Sequence, residues 1–160
     1  MKEILLFTDG SVNVQTKIGY GAALVLEDIE QSLEATKKLV QIKQFENTSS
    51  TKLELETLLW ALNDIKTFEE KVIIYTDSQN IVSLPGRRER LEKNSYRSKK
   101  NERIKNFELY QKFYQITDLL DCELIKVSGH QQSSKKEKID KIFTLVDRAS
   151  RSALRKDSKK

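Results

Sequence analysis

The sequence predicts an α/β chain built on a five-stranded mixed β-sheet flanked by α-helices. Two patterns carry that expectation. Three strand-like segments follow one another in the first part of the chain, as in an antiparallel meander. Thereafter, apolar runs of strand length alternate with helix-period segments, which adds parallel strands through helical crossovers. At 160 residues the chain is long enough for one domain with a substantial core. That domain is expected over residues 1–155, with 156–160 as a basic, disordered tail.

The first strand, at about 2–8, is carried by Ile4-Leu5-Leu6-Phe7, an apolar run of the kind covered on both faces of a sheet. Strands at about 20–28 and about 32–43 complete the meander. A helix follows at about 50–66, because Leu55, Leu58, Ala61, Leu62 and Ile65 share one face of a 3.6-residue wheel. Val72-Ile73-Ile74-Tyr75 marks the fourth strand, about 71–76, and a short helix is expected at about 78–84. A basic insert from Gly86 to Lys105 precedes a helix at about 106–120. The fifth strand is Glu123-Leu124-Ile125-Lys126-Val127. A long final helix, about 136–155, turns Ile139, Ile142, Phe143, Val146, Ser150 and Ala153 inward.

Two of these strands end in near-identical tetrapeptides, Thr8-Asp9-Gly10-Ser11 and Thr76-Asp77-Ser78-Gln79. If the strands run parallel and adjacent, Asp9 and Asp77 converge at the edge where open α/β sheets place their ligands. A single aspartate there serves equally well as a cap or turn residue, but two in matching positions weaken that reading. Glu54 falls on the margin of the inward face of the first long helix, whereas Glu56 points away. Thr51-x-x-Glu54 also reads as a capping box, in which the glutamate only satisfies backbone donors. Asp147 lies at the edge of the last helix, and the small residues Ala149, Ser150 and Ala153 let that helix approach the sheet closely. Asp140, one heptad earlier on the same side, competes with it.

Taken in order, TDGS, the helix-initiating KLEL, YTDSQ, the loop SGH and the late VDRAS resemble ribonuclease HI over nearly the whole chain. The resemblance implies the ribonuclease H fold and hydrolysis of the RNA strand of an RNA–DNA hybrid, leaving 5′-phosphate and 3′-hydroxyl ends. It assigns four metal-binding carboxylates to Asp9, Glu54, Asp77 and Asp147, with Asp9 bridging two ions of Mg²⁺ or Mn²⁺. Glu54 and Asp77 would complete one metal site, and Asp147 would help hold the other. The family's mobile-loop histidine falls on His130, in a polar segment running to Lys136, where it would serve proton traffic and product release. A lone loop histidine is otherwise only an exposed polar residue.

The chemistry accounts for the four acids. Hydrolysis of a phosphodiester needs an activated water, neutralisation of phosphoryl charge and a route for the leaving alkoxide, which two ions about 3.5–4 Å apart supply together. Magnesium takes oxygen ligands and keeps several waters, so a few carboxylates suffice. The single Cys122 and single His130 exclude zinc sites of the Cys/His type. A DNA-directed nuclease of the same superfamily and a catalytically silent hybrid-binding module are the alternatives. Four crowded anions argue against silence, since they repel one another and a phosphate unless metals bind.

The resemblance also places substrate contacts. Ser49 and Asn106 match positions that hold a phosphate of the DNA strand, and Gln79 matches a minor-groove contact. The family's Gly/Pro-rich turn after the first acid is replaced by Val12 to Ile18, including Asn13, and its paired asparagines are here Ser50 and Thr51. A weaker or altered hybrid preference follows. The net charge of +5 is unevenly spread, with nine Lys and Arg against three Glu between Gly86 and Lys105. That insert resembles the family's basic protrusion, with Arg87, Arg88, Lys99 and Lys100 as candidate phosphate contacts; its alternative is a plain solvated face. It lacks tryptophan, leaving Tyr96 as its one ring, while Trp60 is expected to pack. One cysteine forbids an internal disulfide and fits a reducing compartment. No early apolar run is long enough for a signal peptide or membrane span, so a cytoplasmic, monomeric protein without a membrane partner is expected.

Overall fold

The computed structural model describes residues 2–65, 70–127 and 134–159. Among them five strands, β1 (Glu3–Asn13), β2 (Ile18–Leu26), β3 (Gln41–Phe45), β4 (Lys71–Thr76) and β5 (Asp121–Lys126), form one sheet in the order β3-β2-β1-β4-β5. The pairs β1–β2 and β2–β3 are antiparallel, and β1–β4 and β4–β5 are parallel. This is the mixed sheet expected from sequence. Among the described residues six helices accompany it: α1 (Leu33–Lys37), α2 (Ser50–Asn63), α3 (Gln79–Val82), α4 (Leu84–Lys93), α5 (Phe107–Leu119) and α6 (Ser134–Ser158).

The continuous apolar runs arise because the central strands are buried on both faces. Side chains alternate across a strand, so Leu6, Val72 and Ile74 enter one core with α2 and α5. Phe7, Ile73 and Tyr75 enter a second core with the inner face of α6. The rings of Phe7 and Tyr75, paired across β1 and β4, stack at 4.8 Å.

Helix α2 lies unusually close to the β1–β2 ladder. A Cβ at Gly10 would sit 2.8 Å from the Leu53 side chain, and one at Gly21 would sit 2.1 Å from Thr57 Oγ1. Glycine at these two paired positions therefore sets how near the start of α2 comes to Asp9.

Several boundaries differ from the expectation. Strand β1 runs on to Asn13, because its antiparallel pairing with β2 continues to Asn13↔Ile18 beyond the point where β4 stops. The third strand was expected over about 32–43. Ser32 instead caps α1, its Oγ accepting from the Ala35 amide at 3.1 Å, and β3 begins only at Gln41. The basic insert is ordered: its first part is α4, and an Arg97↔Arg103 bridge closes the rest. Helix α6 continues through Ser158, so helix occupies most of the expected tail, and Tyr20 OH donates to Asp157 Oδ1 at 3.0 Å.

Candidate active site

The parallel register Phe7↔Tyr75 puts Asp9 and Asp77 level, each two residues further along neighbouring strands. Glu54 arrives from the first turns of α2. Asp9, Glu54 and Asp77 line one small chamber with Thr8, Thr57, Thr76 and Ile81. From the opposite side of the sheet edge, α6 brings Asp147 close enough to Asp9 to oppose its ionisation. Asp140 lies a heptad earlier, about 10 Å along the helix, and is not part of this group.

These acids oppose one another's ionisation. Burial, then the charge of Asp77 and the shared hydrogen bond with Asp147, push Asp9 up to about 8, against a lowering contribution from the Gly10 amide. Glu54 is raised chiefly by burial and also by Asp77, with its hydrogen bond to Ser78 acting the other way. Asp77 reaches the surface, yet crowding by neighbouring protein is the leading cause of its raised pKa, followed by Asp147. Its own backbone amide, Arg151 and Lys126 partly compensate. Arg151 also pairs with Asp147, Nε to Oδ1 at 3.0 Å.

The capping-box alternative for Glu54 is not formed. The N-cap of α2 is Ser49, whose Oγ accepts from the Lys52 amide at 3.3 Å, and Thr51 lies inside the helix. Glu56 points elsewhere, as expected, and accepts from Thr48 Oγ1 at 2.6 Å.

The RNase H family model matches residues 1–147, which is most of the chain and includes all four acids. The chain belongs to the ribonuclease H family. Ribonuclease H of Acetivibrio thermocellus is 28% identical over 149 residues, spanning 90% of this chain and 94% of the relative. The enzyme of Caldicellulosiruptor saccharolyticus is 27% identical over 89% of this chain and 94% of its own length. That of Moorella thermoacetica is 26% identical over 98% and 96%. In fold, the chain superposes on a foamy viral protease-reverse transcriptase solved in complex with dsDNA, with a TM-score of 0.65 and 14% identity over 92% of this chain and 93% of the other.

Divalent ions suit this ribonuclease H site on the chemistry of its donors. All are hard carboxylate oxygens, and their mutual repulsion is what a cation relieves. Among the described residues no three carboxylate, thiol or imidazole groups form a ready-made cage for an ion. Magnesium needs no such cage, since waters and substrate phosphate fill much of its shell.

The candidate substrate contacts divide by what already occupies them. Asn13 closes the β1–β2 turn, its Oδ1 accepting from the Gln15 and Thr16 amides at 2.9 and 3.3 Å. Ser50 and Thr51 lie in the first turn of α2, and both are exposed. Gln79 Oε1 accepts from Lys126 Nζ at 3.0 Å. Asn106 adopts a left-handed conformation, φ 66°, at the start of α5 and makes no side-chain cap bond. His130 lies outside the described residues.

Within the basic insert, Lys99 and Lys100 are exposed, whereas two arginines are engaged by the protein. Arg87 donates to Asn80 Oδ1 at 2.8 Å and lies over the Tyr110 ring. Arg88 makes a bidentate pair with Asp118 at 2.5 and 2.8 Å, bonds Glu92 and lies over Tyr114, tying α4 to α5. Tyr96 is 6% exposed and belongs to the core, so it offers no ring to a ligand. Trp60 packs edge-on against Phe45, as anticipated. Sequence reasoning missed Lys126 and Arg151. The signal for Arg151 was its place one turn after Asp147; Lys126 carries none, because only the parallel β4–β5 register sets it beside Thr76.

Proposed function

We propose that this chain is a metal-dependent endonuclease that hydrolyses the RNA strand of RNA–DNA hybrids. The reading rests on the meeting of Asp9, Glu54 and Asp77 around one chamber, with Asp147 beside Asp9. Membership of a family whose similar relatives are ribonucleases H supports the substrate class. When bound, two Mg²⁺ or Mn²⁺ ions supply an activated water and neutralise phosphoryl charge.

The chain's own residues do the rest. Asp9 would bridge the ions, Glu54 and Asp77 would complete one site, and Asp147 would serve the other. Lys126 and Arg151 stabilise the ionised form of Asp77 while the acids await that charge. The exposed Lys99 and Lys100 draw the polyanion to an otherwise anionic edge by counterion release. Asn106, with no cap bond to make, and Ser49, through the hydroxyl that also caps α2, would hold a DNA-strand phosphate. His130 would carry protons at product release. Burial pushes the Cys122 thiol up to about 11, which keeps it protonated and unreactive, and the reducing cytoplasm proposed for the protein rests on its single cysteine.

Incubation of matched RNA–DNA, RNA–RNA, DNA–DNA and single-stranded substrates with and without Mg²⁺ tests the proposal. Mg²⁺-dependent cuts in the RNA of the hybrid, with 5′-phosphate ends, are expected. Preferential cleavage of DNA would transfer the site to a DNA-directed nuclease, and saturable hybrid binding without cleavage in either metal would make it a binding module.

A further inference from the structure

We propose that the groove between α6 and the α1–β3 segment is a docking surface for an acidic peptide that carries apolar side chains. The groove encloses about 820 Å³. Its floor is apolar, formed by Val40, Ile42 and Leu145, and Ala149 and Ala153 leave it depth. Ile42 is 40% exposed, a large aliphatic surface that the fold itself leaves uncovered.

Four cations, Lys37, Arg148, Arg155 and Lys156, form the rim, and Arg151, paired with Asp147, lines the edge nearest the carboxylate cluster. Along α6, Lys138, Lys141 and Arg151 pair with Glu30, Glu137 and Asp147. By contrast, none of the four rim cations makes an ion pair among the described residues. Unpaired positive charge is thus concentrated around exposed apolar surface. Carboxylates of an incoming chain would relieve that repulsion and set the orientation of docking.

Charge alone would equally suit a nucleic acid, but the floor does not. The rim cations and Ser152 could donate to phosphate, but a solvated sugar-phosphate backbone would leave Val40, Ile42 and Leu145 unburied. Aliphatic or aromatic anchors between acidic residues would bury this floor while their neighbours meet the rim. The middle of the groove turns away from the carboxylate cluster, although Arg151 reaches from its edge to Asp147. Leu145, Arg148, Ser152 and Lys156 follow one helix face, and Asp147, two residues past Leu145, lies about 200° round the axis. Most of the α6 wall lies beyond residue 147, outside the span matched by the family model.

Fluorescence anisotropy with a short labelled peptide alternating aspartate with leucine and phenylalanine tests this. Saturable binding to the intact chain is expected, weakened at least about tenfold by the double substitution Arg148→Glu, Lys156→Glu. A second variant, Ile42→Ser, should also weaken it, and circular dichroism and the melting temperature verify that both variants fold. Peptides with asparagine for aspartate, or serine for leucine and phenylalanine, should bind far less tightly. No saturable binding, or equal binding of the serine peptide, overturns the proposal. So does a single-stranded DNA oligonucleotide that binds as tightly and loses affinity with the same charge reversals, which would make the groove a nucleic-acid track.

Discussion

Replacing Asp9 by asparagine should stabilise the metal-free protein while abolishing its proposed chemistry. In the folded chain Asp9 is raised from 3.8 to about 8. Below the lower value the carboxyl is protonated whether the chain is folded or not. As pH rises past it, the unfolded chain releases the proton first and the folded chain keeps it, so stability falls by about 1.4 kcal/mol per pH unit until the folded group also ionises. Between 3.8 and pH 7 that amounts to at most about 4 kcal/mol. Solvent screening at this partly open edge, and relaxation of Asp77 and Asp147, reduce it to about 1–3 kcal/mol. Asparagine has nearly the same shape, never ionises and can donate to Asp147.

Urea or thermal unfolding in chelator should therefore show no difference between Asp9→Asn and the parent at pH 4. At pH 7 the variant should gain stability, at roughly 2–4 °C per kcal/mol for a chain of this size. Added Mg²⁺ should raise the parent's melting temperature more than the variant's, since it stabilises whichever folded state binds it better. A variant that is less stable at pH 7, or a stability gap that is the same at pH 4 and pH 7, would refute the like-charge account of this cluster.

In hybrid-cleavage assays Asp9→Asn, Glu54→Gln and Asp77→Asn should each lose several orders of magnitude in turnover, whereas Glu56→Gln should cleave normally and fold normally, its amide oxygen still accepting from Thr48 Oγ1; normal cleavage by Asp9→Asn would remove the metal assignment. Asp147→Asn should raise the Mg²⁺ concentration needed for half-maximal rate while Asp140→Asn leaves it unchanged, and the opposite ranking would displace Asp147 from the site. Lys99→Ala with Lys100→Ala should flatten the dependence of hybrid affinity on salt, by about 0.9 in log–log slope for each phosphate the protein no longer neutralises. Arg88→Ala should instead loosen the α4–α5 junction, read as faster proteolysis within the basic insert, because its guanidinium is already held by Asp118 and Glu92. Thr57 Oγ1 is buried without a hydrogen-bond partner among the described residues; Thr57→Val should therefore raise metal-free stability by about 1 kcal/mol in urea unfolding, and a loss of stability would mean that the hydroxyl has a partner after all.

Much of this molecule follows from local pattern. The runs Ile4 to Phe7 and Val72 to Tyr75 read as strands covered on both faces, and their matching tetrapeptide ends marked Asp9 and Asp77 as a pair if those strands were parallel neighbours. The inward face of α2 and that of α6 were legible from helical spacing, because burial of one stripe imposes that period. The third strand was misread where a local signal outweighed it: Ser32 caps a turn of helix, and the strand starts only after it. Other features have no local signature. Whether Glu54 capped its own helix or faced Asp9 depended on the close approach that Gly10 and Gly21 permit, and Asp147 prevailed over Asp140 through the axial position of α6 on the sheet. The basic insert shows the same division. Its charge was plain in the sequence, but Arg88 meets Asp118 thirty residues away and Tyr96 turns into the core, so only packing between α4 and α5 decided which of its residues remain available to a ligand. Periodicity and charge are properties of a segment and can be read along it; which side chains face one another, and which are already satisfied, depends on contacts between segments distant in sequence, and the folded chain alone settles them.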